Sequence, residues 1–367
     1  MDYREVNHGK NDNPQLYESL KALPKIELHR HLEGSLRLNT LADIAREHQL
    51  DLPGYAVEDF RHLVQMVPED EPNANVFISK FFTLRNFYQS PEIIDRITYE
   101  TVADAAAENI VYMELRFTPI ALAREKEYAM SDAADWVIKA VDRAQADFGI
   151  DVRLIVSMNR HESVELGEEM VDIAIANMDR GVVAIDLAGS ENKFPGRPFE
   201  HVFAKAREAG LSITSHAGEW AGPESVLEAI NVLGAQRLGH GVRIVEDLDA
   251  VKLAQDRDIT FEVCLSSNIL SGVVDSLDNH PFRDLYAMGL RTTLNTDDPS
   301  VQGVNLTDEF VAASAEMGYS LDTLKEQVIN AAEAAFLPDD ERQALMTRLQ
   351  TELYPESTEA PAESGSK

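Results

Sequence analysis

Cysteine is almost missing from this chain: Cys264 is the only one in 367 residues. That excludes an intrachain disulfide and a zinc cluster built from several thiolates, and it fits a reducing, cytoplasmic setting. Long apolar runs are missing as well. No stretch approaches the roughly 20 apolar residues that a membrane helix needs, and the polar first fifteen residues lack the apolar core of a secretory signal. Positive charge is scarce, with 33 Lys and Arg against 64 Asp and Glu and a net charge of -31. Nucleic-acid binding rests on neutralising phosphates with Lys and Arg, so a nucleic-acid partner is not expected. A small neutral ligand in a local pocket stays open.

Linkers are also lacking. No Gly/Ser-rich break or short repeat divides the chain, so residues 16–353 are expected to form one domain. Residues 1–15 read as a loose leader, and 354–367, rich in Pro, Glu, Ser, Thr and Ala, as a disordered tail. Inside the domain, short β-rich apolar runs occur at 25–31, 110–117, 152–159, 182–188, 212–216, 237–241, 259–264 and 291–295. Amphipathic segments separate most of them, as at 91–108, 131–146, 165–180, 198–209, 223–233, 248–256 and 281–288. Eight strand–helix alternations in one undivided α/β domain predict a (β/α)8 barrel rather than an open doubly wound sheet. Extra helices are expected after the first strand, at 35–49 and 75–88, and at the C-terminal end, at 306–316, 320–335 and 338–353. In the segment 75–88, Phe77, Phe81, Leu84 and Tyr88 share one helical face. That face either packs on the core or forms a lid that brings Phe77 and Phe81 over the barrel mouth.

Barrel enzymes carry their chemistry at the C-terminal ends of the strands. His29 and His31 sit at i and i+2 on the first run, so both project to the same side. The fifth run ends in Ser215-His216-Ala217-Gly218-Glu219, the sixth in Leu238-Gly239-His240-Gly241 and the eighth in Asn295-Thr296-Asp297-Asp298. His29, His31, His216 and Asp297 therefore form a candidate three-histidine, one-carboxylate site for zinc or a similar divalent ion, which would make water nucleophilic at neutral pH. Glu219 is the candidate proton donor or shuttle, and His240 would hold or deprotonate the water. Taken singly, His240 between glycines could be a satisfied core group and Asp298 a helix N-cap before Pro299. His8, His48, His62 and His201 read as solvent-facing, and His161 and His280 as outside the site. Cys264 reads as a core thiol.

The stretch Pro24-Lys25-Ile26-Glu27-Leu28-His29-Arg30-His31-Leu32-Glu33-Gly34, with the segments around His216, His240 and Asp297-Asp298-Pro299, resembles the adenosine deaminase family of metal-dependent hydrolases. Weaker matches are Glu114-Leu115-Arg116-Phe117, Ile185-Asp186-Leu187-Ala188-Gly189 and Ile329-Asn330-Ala331-Ala332, and the similarity runs from about residue 22 to 350. The resemblance implies zinc on His29, His31, His216 and Asp297, with Glu219 and His240 as catalytic groups. It implies substrate contacts from His31, Glu33, Gly189, Asp298, Phe77 and Phe81: Asp298 at purine N7, the Gly189 N–H at N3, and the two phenylalanines as an apolar lid. The implied reaction is deamination of adenosine or 2'-deoxyadenosine in purine salvage. One position departs from the family. Glu33 stands where an Asp that contacts the ribose is usual, which leaves adenine or a modified adenine nucleoside such as aminodeoxyfutalosine as the alternative substrate.

Overall fold

A computed structural model describes residues 13–355. Eight strands follow one another around a single parallel sheet: β1 Lys25–His31, β2 Ile110–Phe117, β3 Asp151–Asn159, β4 Val182–Ala188, β5 Ser212–Ala217, β6 Arg237–His240, β7 Thr260–Val263 and β8 Arg291–Leu294. Each agrees with an apolar run to within a residue or two. The first and last strands meet just past the end of β8. A parallel bridge joins Arg30 to Asp297, with the Asp297 N–H donating to His29 O at 2.8 Å and the His31 N–H to Asp297 O at 2.9 Å. The expected (β/α)8 barrel is therefore formed, and Asp297 is part of its closure.

The inside of the barrel is not filled by branched aliphatics alone. Arg116 on β2 donates to Glu262 on β7 at 2.8 Å, and Arg237 on β6 donates to the same carboxylate at 2.7 Å as well as to Glu114. All four side chains are shut away from solvent. Removing one partner from such a network leaves an uncompensated buried charge, which costs about 3–5 kcal/mol. The network lies beneath the strand ends and fixes which carboxylate oxygens face upward.

After β1 the chain makes helices Leu38–His48, Val57–Val64 and Ala74–Leu84 before the barrel helix Pro91–Ala107. Asn73 caps Ala74–Leu84 by accepting from the Asn75 and Val76 amides, and Ser90 caps Pro91–Ala107, whose first residue is the proline favoured there. Ala74–Leu84 is shorter than the sequence pattern suggests. It tightens into a 3-10 turn, Arg85–Phe87, so Tyr88 reaches the site from beyond the helix. Helices Leu306–Val311, Leu321–Ala334 and Asp339–Leu353 close the C-terminal side. Pro14 and Gln15 belong to a first helix, Pro14–Ala22, whose last carbonyls accept from the buried Lys25 ammonium. The rest of the expected leader (1–12), including His8, and the tail from 356 lie outside the described residues. No helix among the described residues is long and apolar enough to cross a membrane.

Candidate active site

His29 and His31 alternate along β1 with Arg30, so both rings turn inward and lie 5.3 Å apart. His216 arrives at the end of β5 and Asp297 just past β8. The Nε2 atoms of His31 and His216 are 3.2 Å apart, and Asp297 Oδ1 lies 3.3 Å from Nε2 of both His29 and His31. All four candidate ligand atoms fall within 4.8 Å of one another.

What stands behind these groups decides their chemistry. His29 Nδ1 meets Glu262 Oε2 at 2.8 Å, and His216 Nδ1 meets Asp186 Oδ1 at 3.0 Å. A carboxylate only accepts, so the proton of each ring sits on Nδ1 and each Nε2 turns a lone pair toward the centre. Ser267 Oγ donates to Asp297 Oδ2 at 2.6 Å, leaving Oδ1 to face the histidines. The buried His29 Nε2 has no hydrogen-bond partner among the described residues. Lone pairs converging on one point repel unless a cation lies between them, so the donor set fits a divalent ion. Backbone strain accompanies the arrangement. His240 and Asp297 have φ of 62° and 73°, in the left-handed region that non-glycine residues enter at a cost of about 1–3 kcal/mol each.

The tautomer of His240 follows from a chain of bonds that starts at a backbone amide. The Phe282 N–H donates to His280 Nδ1 at 3.0 Å, so His280 carries its proton on Nε2. That proton goes to Asn268 Oδ1 at 3.2 Å, and Asn268 Nδ2 then donates to His240 Nδ1 at 3.1 Å. His240 is left with Nε2–H pointing at the site, 3.7 Å from Glu219 Oε1 and 4.0 Å from Asp297 Oδ2. Burial holds His240 well below the usual imidazole range despite the nearby Asp297 charge. A neutral imidazole with its proton inward donates, so His240 is built to hold an oxygen rather than to remove its proton. His280, expected outside the site, is the buried origin of this chain.

Four carboxyls line the same cavity in different environments. Burial, then the neighbouring Asp297 and Glu191 charges, pushes Glu219 well above the usual carboxylate range. Burial, Asp297 and Glu33 do the same to Asp298. Burial raises Glu33 to about 7 against the Thr118 amide, which donates to its Oε1 at 2.6 Å. Asp297 goes the other way, because the imidazoles that face it, His29 first and then His240 and His31, outweigh its burial and hold it well below that range. These directions favour Glu219 and Asp298 as groups that can donate a proton or a hydrogen bond, and Asp297 as one that could ligate a cation. Glu33 Oε2, Asp298 Oδ1 and the Tyr88 hydroxyl are buried with no partner, polar groups facing the space where a ligand would bind.

That space has a volume of about 420 Å³. Phe77 and Phe81 from Ala74–Leu84 form one wall, their ring centres 6.2 Å apart, and Gly189, with φ of 95°, contributes from the opposite loop. Phe77 is buried and Phe81 half-buried, so the two readings of this helix face are compatible: the rings pack on the core and also line the cavity. Every site residue expected from the sequence is thus at this one cavity or directly beneath it. His161, expected elsewhere, also lines it, while His48, His62 and His201 are exposed. Of the groups that orient the candidate ligands and His240, Asp186 stood in a quoted motif without a role, and Glu262, Ser267 and Asn268 were not singled out from the sequence. Glu262 had a signal, a lone acid inside an apolar strand.

An eight-stranded barrel with a His-x-His pair, a third histidine and an aspartate at its strand ends defines a hydrolase of the amidohydrolase type. The chain belongs to the adenosine deaminase family, whose model matches residues 24–352, and it is a hydrolytic deaminase. It is 38% identical over 328 residues to the adenosine deaminase of Klebsiella pneumoniae (strain 342), covering 89% of this chain and 98% of that protein. The enzyme of Aliivibrio fischeri (strain MJ11) is also 38% identical, over 326 residues that cover 89% and 97% of the two chains. Among solved structures, adenine deaminase from Arthrobacter aurescens superposes with a TM-score of 0.83 at 27% identity, covering 90% of this chain and 98% of that one. Arabidopsis N6-mAMP deaminase gives 0.81 at 29%, covering 91% and 99%. A zinc-bound amidohydrolase from Burkhoderia ambifaria gives 0.84 at 27%, covering 92% of each chain.

Proposed function

We propose that this enzyme converts adenosine and 2'-deoxyadenosine, with one water, into the corresponding inosine and ammonia. The observation that carries the reading is the convergence of three imidazole nitrogens and one carboxylate oxygen beside a protonated glutamate. His29, His31, His216 and Asp297 would hold a divalent ion, with zinc the choice this donor set favours. Such an ion supplies a Lewis acid that makes water nucleophilic near neutral pH.

The chain's own residues do the rest. Glu219, neutral at neutral pH, gives its proton to purine N1 as C6 is attacked, which removes the negative charge the ring would otherwise gather. Left as a carboxylate, Glu219 takes the proton of the oxygen added at C6 and passes it to the amino group, which departs as ammonia while N1 keeps its proton; the other proton of the water restores Glu219 to its acid form. His240 donates through Nε2–H to the oxygen being added at C6. Asp298, also neutral, donates to N7, and the Gly189 N–H to N3. Phe77 and Phe81 cover the purine and exclude water, and Glu33 Oε2 meets the sugar. The cytoplasm suits this reading, since Cys264 is a buried free thiol.

One observation favours a second substrate of the same chemistry. Arg85 lines the cavity half-buried and has no ion pair or side-chain hydrogen bond among the described residues; its guanidinium sits 5.8 Å from the Phe82 ring. Lys193 and His161 line the same cavity, and solved Arabidopsis relatives hold GMP and IMP. An adenine nucleoside with an anionic substituent is the alternative this supports, with free adenine as the case that uses none of it.

A substrate panel read by ammonia release tests both readings. Adenosine turnover above that of adenine and of acidic adenine nucleosides supports the first. A preference for an acidic substrate that Arg85→Ala removes supports the second. Turnover of none of them by metal-loaded protein refutes the deaminase reading.

A further inference from the structure

We propose that Glu191 is a positioning residue that holds the catalytic loop of Glu219 and couples it to the loop of Gly189. This rests on the reading of Glu219 as the acid at N1. Glu191 lies three residues past the end of β4, two beyond Gly189, and its carboxylate is buried against the loop that follows β5. One oxygen, Oε1, accepts the N–H groups of Glu219 at 2.6 Å, Trp220 at 2.5 Å and Ala221 at 2.9 Å. The other accepts the Gly218 N–H at 2.9 Å and the Ser225 hydroxyl at 2.5 Å. Four successive amides therefore turn toward one anion, a backbone nest.

Those amides make no other hydrogen bond among the described residues. Gly218 opens the turn with φ of 69°, which a side chain would resist. Arg243 ties the loop at two carbonyls, its N–H donating to Gly218 O at 2.9 Å and its Nη1 to Trp220 O at 3.2 Å. The amide side is held by Glu191 alone among the described residues, and the direction of those amides sets where the Glu219 side chain enters the cavity. The same short segment of β4 loop presents the Gly189 N–H. The spacing between the donor for purine N3 and the acid for N1 is thereby set through Glu191 rather than by two independent loops. A glutamine cannot reproduce this, since its amide nitrogen would face N–H groups.

A purely structural staple would alter stability and leave kinetics alone, so the test separates kcat from KM in metal-loaded, full-length protein. Glu191→Gln is expected to lower kcat roughly 100-fold, within the range a misplaced general acid forfeits, with KM for adenosine within about threefold and metal content unchanged. Glu191→Asp keeps the charge but is one methylene short. It is expected to lose roughly 10-fold, and it carries the test if the Gln variant does not fold. Unchanged kcat in a folded variant overturns the proposal, and so does loss of metal in step with loss of activity, which would mean the effect travels through His216. Glu219→Gln run alongside distinguishes the two failures. If it retains turnover, the assignment of the acid is wrong. If it is inactive while the Glu191 variants are not, only the positioning role is wrong.

Discussion

A methyl group added at Gly34 would strike the Asp298 carboxyl, and the consequence can be worked out from the structure. A Cβ on Gly34 would lie 2.5 Å from both Cβ and Cγ of Asp298, so no rotation of the Asp298 side chain relieves the overlap. The backbone at Gly34 is pinned as well, because its carbonyl accepts from the Ser300 N–H at 2.8 Å. Overpacking of this kind costs about 1–3 kcal/mol, a fall in thermal midpoint on the order of 1 to 4 °C for a domain of this size. Displacing Asp298 would also remove the hydrogen bond proposed for it at purine N7, worth about 1–2 kcal/mol in the transition state, or roughly 5- to 30-fold in kcat/KM. The assay is a cycle of Gly34→Ala and Asp298→Gly, read by thermal unfolding. With Asp298→Gly the offending atoms are gone, so Gly34→Ala should then cost less than about 0.5 kcal/mol. An equal cost in both backgrounds would show that Gly34 is not there to admit Asp298.

Removing His280 as His280→Leu should lower kcat about 10-fold or more with little change in KM, because Asn268 no longer fixes the His240 proton; unchanged kcat would show the tautomer is set elsewhere. Glu262→Gln should lose about 3–5 kcal/mol of stability together with metal affinity, since Arg116, Arg237 and His29 all rely on that carboxylate. Normal metal content at a reduced thermal midpoint would free His29 from its assigned support. Burial raises Glu309 from 4.5 to about 8, so between those pH values the folded chain keeps a proton that the unfolded chain has released. Stability then falls as pH rises through that window. Glu309→Gln, neutral throughout, should shrink the midpoint difference between about pH 5 and pH 8, and an unaltered difference would contradict the sign.

The barrel and the clustering of the four candidate ligands were legible because both depend on periodicity. Strand runs such as Val182–Ala188 are buried at almost every position, and the ligands fall where those runs stop. The helix Val57–Val64 was not legible: only Phe60 and Val64 are buried in its eight residues, too little for a helical period to emerge. Leu265–Leu270 escaped for the opposite reason, since all six residues are buried and no polar face marks it. The ligands could be named from spacing, but the groups that orient them could not. Asn268 reaches His240 from the helix Leu265–Leu270, and His280, twelve residues further on, acts only through Asn268. Glu191 acts on backbone amides, which carry no residue-type signature. Glu33 was visible as a departure, and the structure adds that one of its oxygens is occupied by Thr118 and the other is unpaired.

The central claim is that this site deaminates a purine with an ion held by His29, His31, His216 and Asp297. The most direct measurement is metal content and ammonia release on the same purified sample, before and after chelation and after metal is restored. The expected result is about one divalent ion per chain, one ammonia per adenosine consumed, loss of turnover with the ion and recovery on its return. Full adenosine turnover by protein stripped of metal would contradict it.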